Sequence, residues 1–267
     1  MGVMDLQLTG KRALVTGGNR GIGLAVARAL AAEGADLALA ARDIGALEVA
    51  RAALARDHGH RVVAVPVDTG NDDSVQALVS TVAAELGGVD ILVNAAARPD
   101  GGGPGLDGFT SDQFFENLNI KVLGYLRCIQ EVAPLMRAQG WGRIINVSGL
   151  NARTAGSLTG SMRNVAVAAM TKTVADELGP HGINVTVVHP GVTVTEKTPD
   201  VLRSRGQRQG IGPLEMEQRL TAAVSIGRLV TADEVAAVVA FLASPRSVAV
   251  NGDAIAAGGG TIGAIYY

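Results

Sequence analysis

Residues 11–32 read KRALVTGGNRGIGLAVARALAA, and this stretch changes character twice. Arg12–Thr16 is a short, mostly apolar run of the kind that forms a buried strand. It breaks into a glycine-rich turn over 17–23. Beyond the turn, Ile22, Ala25, Val26 and Leu30 recur at helical spacing. A strand, a glycine turn and a helix in that order make a phosphate cradle. The glycines let backbone approach a pyrophosphate, and the first turn of the helix offers free N–H groups with partial positive charge. Two glycines alone would mean only a tight turn; the flanking strand and helix turn them into a binding motif.

The rest of the chain continues the alternation. Strands are expected over 36–41, 61–67, 91–95, 142–147 and 184–189, with a short one over 254–257 able to close the sheet. Helices are expected over 44–56, 74–86, 112–139, 161–178 and 235–243. Short connections between alternating strands and helices predict a single α/β domain: a doubly wound parallel sheet, covered on both faces. No repeat or linker divides it. Two longer segments, 98–110 (RPDGGGPGLDGFT) and 192–226, follow the carboxyl ends of strands, where open α/β sheets bind ligands. They read either as binding loops or as plain surface.

Composition narrows the partners. A chain of 267 residues with 48% hydrophobic content can bury one large core. A net charge of −2 without blocks of like charge argues against a nucleic-acid or membrane surface. The amino-terminal residues lack the layout of a signal peptide, and no apolar run reaches membrane-spanning length, so a soluble cytoplasmic protein is expected. The single cysteine, Cys128, sits among Leu126, Ile129 and Val132 and reads as a small core residue. His58 and His60 flank a glycine with no ligand companions, which suits a surface turn and no metal.

The glycine spacing is Gly17-x-x-x-Gly21-x-Gly23, preceded by Thr16. In this setting the chain resembles the short-chain dehydrogenase/reductase family, from about Leu8 to Gly260. The resemblance implies a Rossmann-type fold, a nicotinamide dinucleotide, a small carbonyl or alcohol substrate, and pairing of subunits through the two long helices. It assigns Gly17, Asn19, Arg20, Gly21, Ile22 and Gly23 to the pyrophosphate turn and Asp68 and Thr69 to the adenine. Asn94, Ala95 and Ala96 fall on the family's Asn-Asn-Ala-Gly, and Pro190, Gly191, Val192 and Thr193 match its Pro-Gly motif beside the nicotinamide. At the end of the second strand stands Ala41-Arg42-Asp43, where an acid would bind the ribose hydroxyls and an arginine a 2′-phosphate. Arg42 points to NADP, with Arg20 able to add a second positive charge; Asp43 is the rival, favouring NAD.

The chemistry departs from the family. Members reduce a carbonyl with Tyr-x-x-x-Lys, a Ser and an Asn, the Lys lowering the pKa of the Tyr. Counting back from Thr171 along AAMTKTVADELGPHGINV (168–185) puts Gly160 at the Tyr position and Asn164 at the Lys position. Gly149 aligns with the Ser, with Ser148 just before it, and Lys121, three residues before Gly124, aligns with the Asn. The tyrosines are Tyr125, Tyr266 and Tyr267, none at the donor position. Lys121, Ser148 and Asn164 are therefore the candidate catalytic residues. Asn151, Arg153, Ser161 and Arg163 could crowd the same mouth, the arginines holding a carboxylate or phosphate. Lys121 reads as an acid or base, or as a structural lysine. An NADP-dependent oxidoreductase is the leading expectation. A dinucleotide-binding protein without turnover, or a dehydratase or isomerase on the same fold, stays open.

Overall fold

The computed structural model describes residues 5–97, 105–155 and 157–265. Part of the expected loop over 98–110, and the terminal Tyr266 and Tyr267, lie outside the described residues.

The chain alternates as expected: β1 (Arg12–Thr16), α1 (Gly21–Ala32), β2 (Asp36–Ala41), α2 (Ile44–His58), β3 (Val62–Pro66), α3 (Asp72–Leu86) and β4 (Ile91–Asn94). Next come α4 (Ser111–Leu118), α5 (Gly124–Gln139), β5 (Gly142–Val147), α6 (Leu158–Leu178) and β6 (Ile183–Pro190). A small ribbon of β7 (Thr193–Val194) and β8 (Val230–Thr231) brackets α7 (Thr198–Gln209) and α8 (Pro213–Ala222), before α9 (Ala232–Ala243) and β9 (Ala254–Ala257). The segment over 192–226 is thus largely helical. The main sheet has seven parallel strands in the order β3-β2-β1-β4-β5-β6-β9, with β9 closing it as expected.

Strand alternation sorts side chains between two cores. Val15, Leu37, Leu39, Ile91, Val93 and Ile145 point to one face, under α1, α2 and α9. Leu14, Ala38, Ala40, Leu92 and Ile144 point to the other, under α3, α5 and α6. Both faces are covered, which is why the strands read as near-continuous apolar runs. Cys128 is fully buried in the second core, where burial pushes its thiol up to about 12. Met162 and Val165 of α6 stay half exposed on the outer side of that layer.

The chain order reverses between β1 and β4, which lie side by side with Thr16 opposite Asn94. That switch point opens a crevice beyond the carboxyl ends of the strands.

One element departs from the sequence reading. The helix expected over 112–139 is interrupted by a π turn at Asn119–Leu123. Its loosened backbone is held from outside: the Thr69 hydroxyl donates to the Ile120 carbonyl at 3.1 Å, and Arg127 Nη1 donates to the Asn119 carbonyl at 3.1 Å. Gly124 permits this approach, since a Cβ there would stand 2.9 Å from the Thr69 backbone oxygen. Insertions of this type are frequent at functional sites. This one carries Lys121.

Candidate active site

The groove begins where β1 ends. Gly17, at φ +70°, packs so closely on the β4 side that a Cβ would stand 2.9 Å from the Ala95 carbonyl oxygen. Gly23, inside α1, faces the Gly17 carbonyl oxygen, 2.2 Å from where its own Cβ would be. These are contacts only glycine tolerates. The result is a groove of about 440 Å³ lined by Gly17, Asn19, Arg20, Gly21, Ile22 and Gly23 at one end, and by Lys121 and Ser148 at the other. Arg42, Asp68, Thr69, Ala95 and Ala96 line it as well. The shape and donors fit a dinucleotide: bare backbone and a helix start for the pyrophosphate, and an exposed arginine at the ribose end.

Several assigned residues have other duties. Asp43 caps α2, its carboxylate accepting from Ala46 N at 3.0 Å. The Thr69 hydroxyl is committed to the π turn. Asn94 is fully buried. It donates to Asn146 Oδ1 at 3.0 Å, and Asn146 in turn donates to Thr171 at 3.0 Å. Pro190 ends β6, and Thr193 pairs with Val230 in the ribbon. Just beyond the Pro-Gly motif, Thr195, Glu196 and Lys197 line the groove, which the sequence reading passed over. Val67, Ile120 and Val147 add apolar surface that it also passed over.

At the far end, the three candidate catalytic residues meet. Lys121 is 4% exposed; its Nζ donates to the Ser148 carbonyl at 3.0 Å and to Asn164 Oδ1 at 3.1 Å. The Ser148 hydroxyl donates to the Asn164 carbonyl at 3.3 Å. Two glycines make the arrangement possible. A Cβ on Gly149 would come within 2.9 Å of Asn164 Nδ2. A Cβ on Gly160 would stand 2.8 Å from Ser157 Oγ and 3.0 Å from Asn151 Nδ2. The Asn164 amide thus occupies the space beside the usual serine position, and Ser157, which caps α6, crowds the usual tyrosine position.

The neighbouring groups are spoken for. Tyr125 is fully buried; its hydroxyl donates to the Val147 carbonyl at 2.9 Å, and burial raises its pKa. It is a core residue and no proton donor. Arg163 is buried and donates to Asn117 Oδ1 at 2.5 Å, while Arg153 donates to the Ala254 carbonyl at 2.8 Å. Ser161 donates to the Thr154 carbonyl at 3.2 Å. His189 lies beneath the Ser148–Gly149 turn, its Nδ1 accepting from Gly149 N at 3.4 Å. Burial, with repulsion from Arg153 and Lys121, pushes its pKa down to about 4, so the imidazole is neutral. Among the described residues there is no cluster able to hold a metal, and no helix is long and apolar enough to cross a membrane.

A family model described as enoyl-(acyl carrier protein) reductase matches residues 17–261. The short-chain reductase protein NovJ of Streptomyces niveus is 35% identical over 93% of this chain and 92% of its own length. The chain belongs to the short-chain dehydrogenase/reductase family. Galactitol 2-dehydrogenase of Agrobacterium fabrum is 34% identical over 91% of this chain and 93% of its own. L-sorbose reductase of Gluconobacter frateurii, solved with NADPH and L-sorbose, superposes with a TM-score of 0.91 at 29% identity, covering 98% of this chain and all of that one.

Proposed function

We propose that this chain is an NADP-dependent oxidoreductase acting on a small carbonyl or alcohol, with Lys121 as the charged group at the reacting end. The observation that carries the reading is the Lys121–Asn164 contact at 3.1 Å. By the resemblance, Lys121 stands at the family's Asn position and Asn164 at its Lys position, and in this chain the two side chains hydrogen-bond directly. A buried lysine held by its own partner beside a groove is unlike the plain loss of polar groups expected of an abandoned site. Burying an ammonium group is costly, so a lysine 4% exposed at the end of a ligand groove marks a functional position.

NADP is favoured over NAD by Arg42 on the groove rim, with Asp43 already capping α2, and by the NADPH complex of the sorbose reductase. Gly17, Gly21 and Gly23 would seat the pyrophosphate, Arg42 the 2′-phosphate, and Asp68 the adenine amino group. The chemistry the dinucleotide supplies when bound is hydride transfer to or from carbon. Reduction of a carbonyl leaves negative charge on its oxygen, and Lys121 Nζ meets that charge with a cation and N–H donors, then gives up a proton. Asn164 Oδ1 and the Ser148 carbonyl fix the ammonium in place. The Ser148 hydroxyl ties the β5 turn to α6, which keeps both partners in register. Lacking the tyrosine, the site should handle simple unactivated ketones slowly.

A second reading, a dinucleotide-binding protein without turnover, is favoured by the packing that closes off the tyrosine position at Gly160. One experiment separates the two: a panel of ketoses, cyclic diketones and 3-ketoacyl thioesters followed by NADPH absorbance, beside calorimetry with both dinucleotides. The expected result is turnover on at least one class, with NADPH bound about tenfold or more tighter than NADH and Arg42→Ala narrowing that gap. Tight NADPH binding with no turnover across the panel would favour the binding protein. Tighter NADH binding would give the ribose to Asp43.

A further inference from the structure

The start of α1 already faces an anion supplied by the chain itself. Arg20 gives α1 no side-chain cap, and its first turn contains no acid. Its free N–H groups are the place where a pyrophosphate would sit. Glu196, 175 residues further on, puts Oε2 at 3.3 Å from Gly21 N. Its other oxygen lies 3.9 Å from where a Gly21 Cβ would be, and the Thr195 methyl lies 3.7 Å from the same point. The carboxylate therefore stands in the groove, over the glycine turn.

The loop that presents it is firmly built. Thr198 Oγ1 accepts from Thr195 N at 2.8 Å and donates to the Thr193 carbonyl at 3.2 Å, while Lys197 N donates to Thr195 Oγ1 at 3.3 Å. Below the tip, β7 is anchored on β8. By contrast, the Glu196–Gly21 bond is long and solvent-exposed, and it is the one hydrogen bond between this loop and α1 among the described residues. A rigid loop ending in a single weak, exposed contact suits reversible release.

We propose that Glu196 is a displaceable strap. In the free protein its carboxylate caps α1; the dinucleotide's pyrophosphate displaces it, because two anions cannot share one N–H group and repel at that distance. Cofactor affinity is then set below what the cradle alone would give. Binding also separates the tip of this loop from the glycine turn.

The test compares the unaltered protein with Glu196→Gln, which keeps the shape and loses the charge, and with Glu196→Ala. Calorimetry should show NADPH bound about 3- to 10-fold more tightly by Glu196→Gln. The affinity for 2′-AMP, which carries nothing at the pyrophosphate position, should be the same in both. Without cofactor, Glu196→Ala should melt about 2 °C lower, since α1 loses its cap. Unchanged or weaker NADPH binding by Glu196→Gln would overturn the strap. So would equal tightening toward 2′-AMP, which would indicate a diffuse charge effect.

Discussion

The two ends of the groove are built on different principles. Around β1 and α1 the site is made of backbone, and its geometry depends on the absence of side chains: Gly17 against Ala95, Gly23 against Gly17. Where the π turn meets α6 and the end of β5 it rests on a side chain, Lys121, held by the Asn164 side chain and the Ser148 carbonyl. On our reading the first end keeps the family's pattern, while Lys121 and Asn164 stand where the resemblance would place an Asn and a Lys at the second. A backbone cradle tolerates no substitution at its contact points, because a single Cβ collides with main chain that cannot move. A side-chain constellation can be rewritten by compensating changes, provided that charge and hydrogen bonds still balance and neighbours shrink to make room. Gly149 gives such room here: it is small where the Asn164 amide comes in.

The contrast breaks most visibly at Gly23. Gly23→Ala places a methyl group 2.2 Å from the Gly17 carbonyl oxygen, so the turn must open. Dinucleotide affinity should fall by about a hundredfold or more, as expected for misplacing the donors to a charged phosphate. The melting temperature should fall as well. Calorimetry and thermal melts check this, and wild-type affinity in the variant would mean that the cradle is more pliable than its contacts indicate.

A smaller effect probes the other end through His189. Its folded pKa of about 4 lies below the ~6.5 of a free imidazole, so the unfolded chain takes up the proton first. The stability this residue contributes is full above about pH 6.5 and declines as pH falls toward 4. His189→Asn should flatten the fall in melting temperature across that window, whereas an unchanged slope would place the acid sensitivity elsewhere.

How much could be read from the sequence follows the same division. The sheet was legible because its strands are buried on both faces and the glycine turn marks the first crossover. The glycine turn was legible because Gly23 must pack against the Gly17 carbonyl oxygen close by in the chain. The π turn at Asn119–Leu123 was not, since helical spacing continues on either side and the groups that stabilise it, Thr69 and Arg127, include one from a distant loop. The wall formed by Thr195, Glu196 and Lys197 was hidden for a similar reason: only the folded chain brings residue 196 to residue 21. Counting back from Thr171 located Asn164, and the spacing before Gly124 located Lys121. That they touch, and that the amide fills the space beside Gly149, depends on how α5 and α6 pack across β5, which no local pattern encodes.

The central claim is that the catalytic end was rewritten around Lys121 while the cradle stayed intact. Its most direct test is steady-state turnover and NADPH affinity measured together, on the best substrate from the carbonyl panel, for three forms of the protein: unaltered, Lys121→Met, and the double exchange Lys121→Asn with Asn164→Lys. Lys121→Met should lower kcat by about 100-fold or more, the scale of a lost general acid, with NADPH affinity within about threefold of the starting value, since the phosphate and ribose contacts lie at the other end. The double exchange should keep the fold and the cofactor, and restore little rate, because Gly160 still supplies no donor. Turnover that survives Lys121→Met undiminished would contradict the account and leave Lys121 a structural residue.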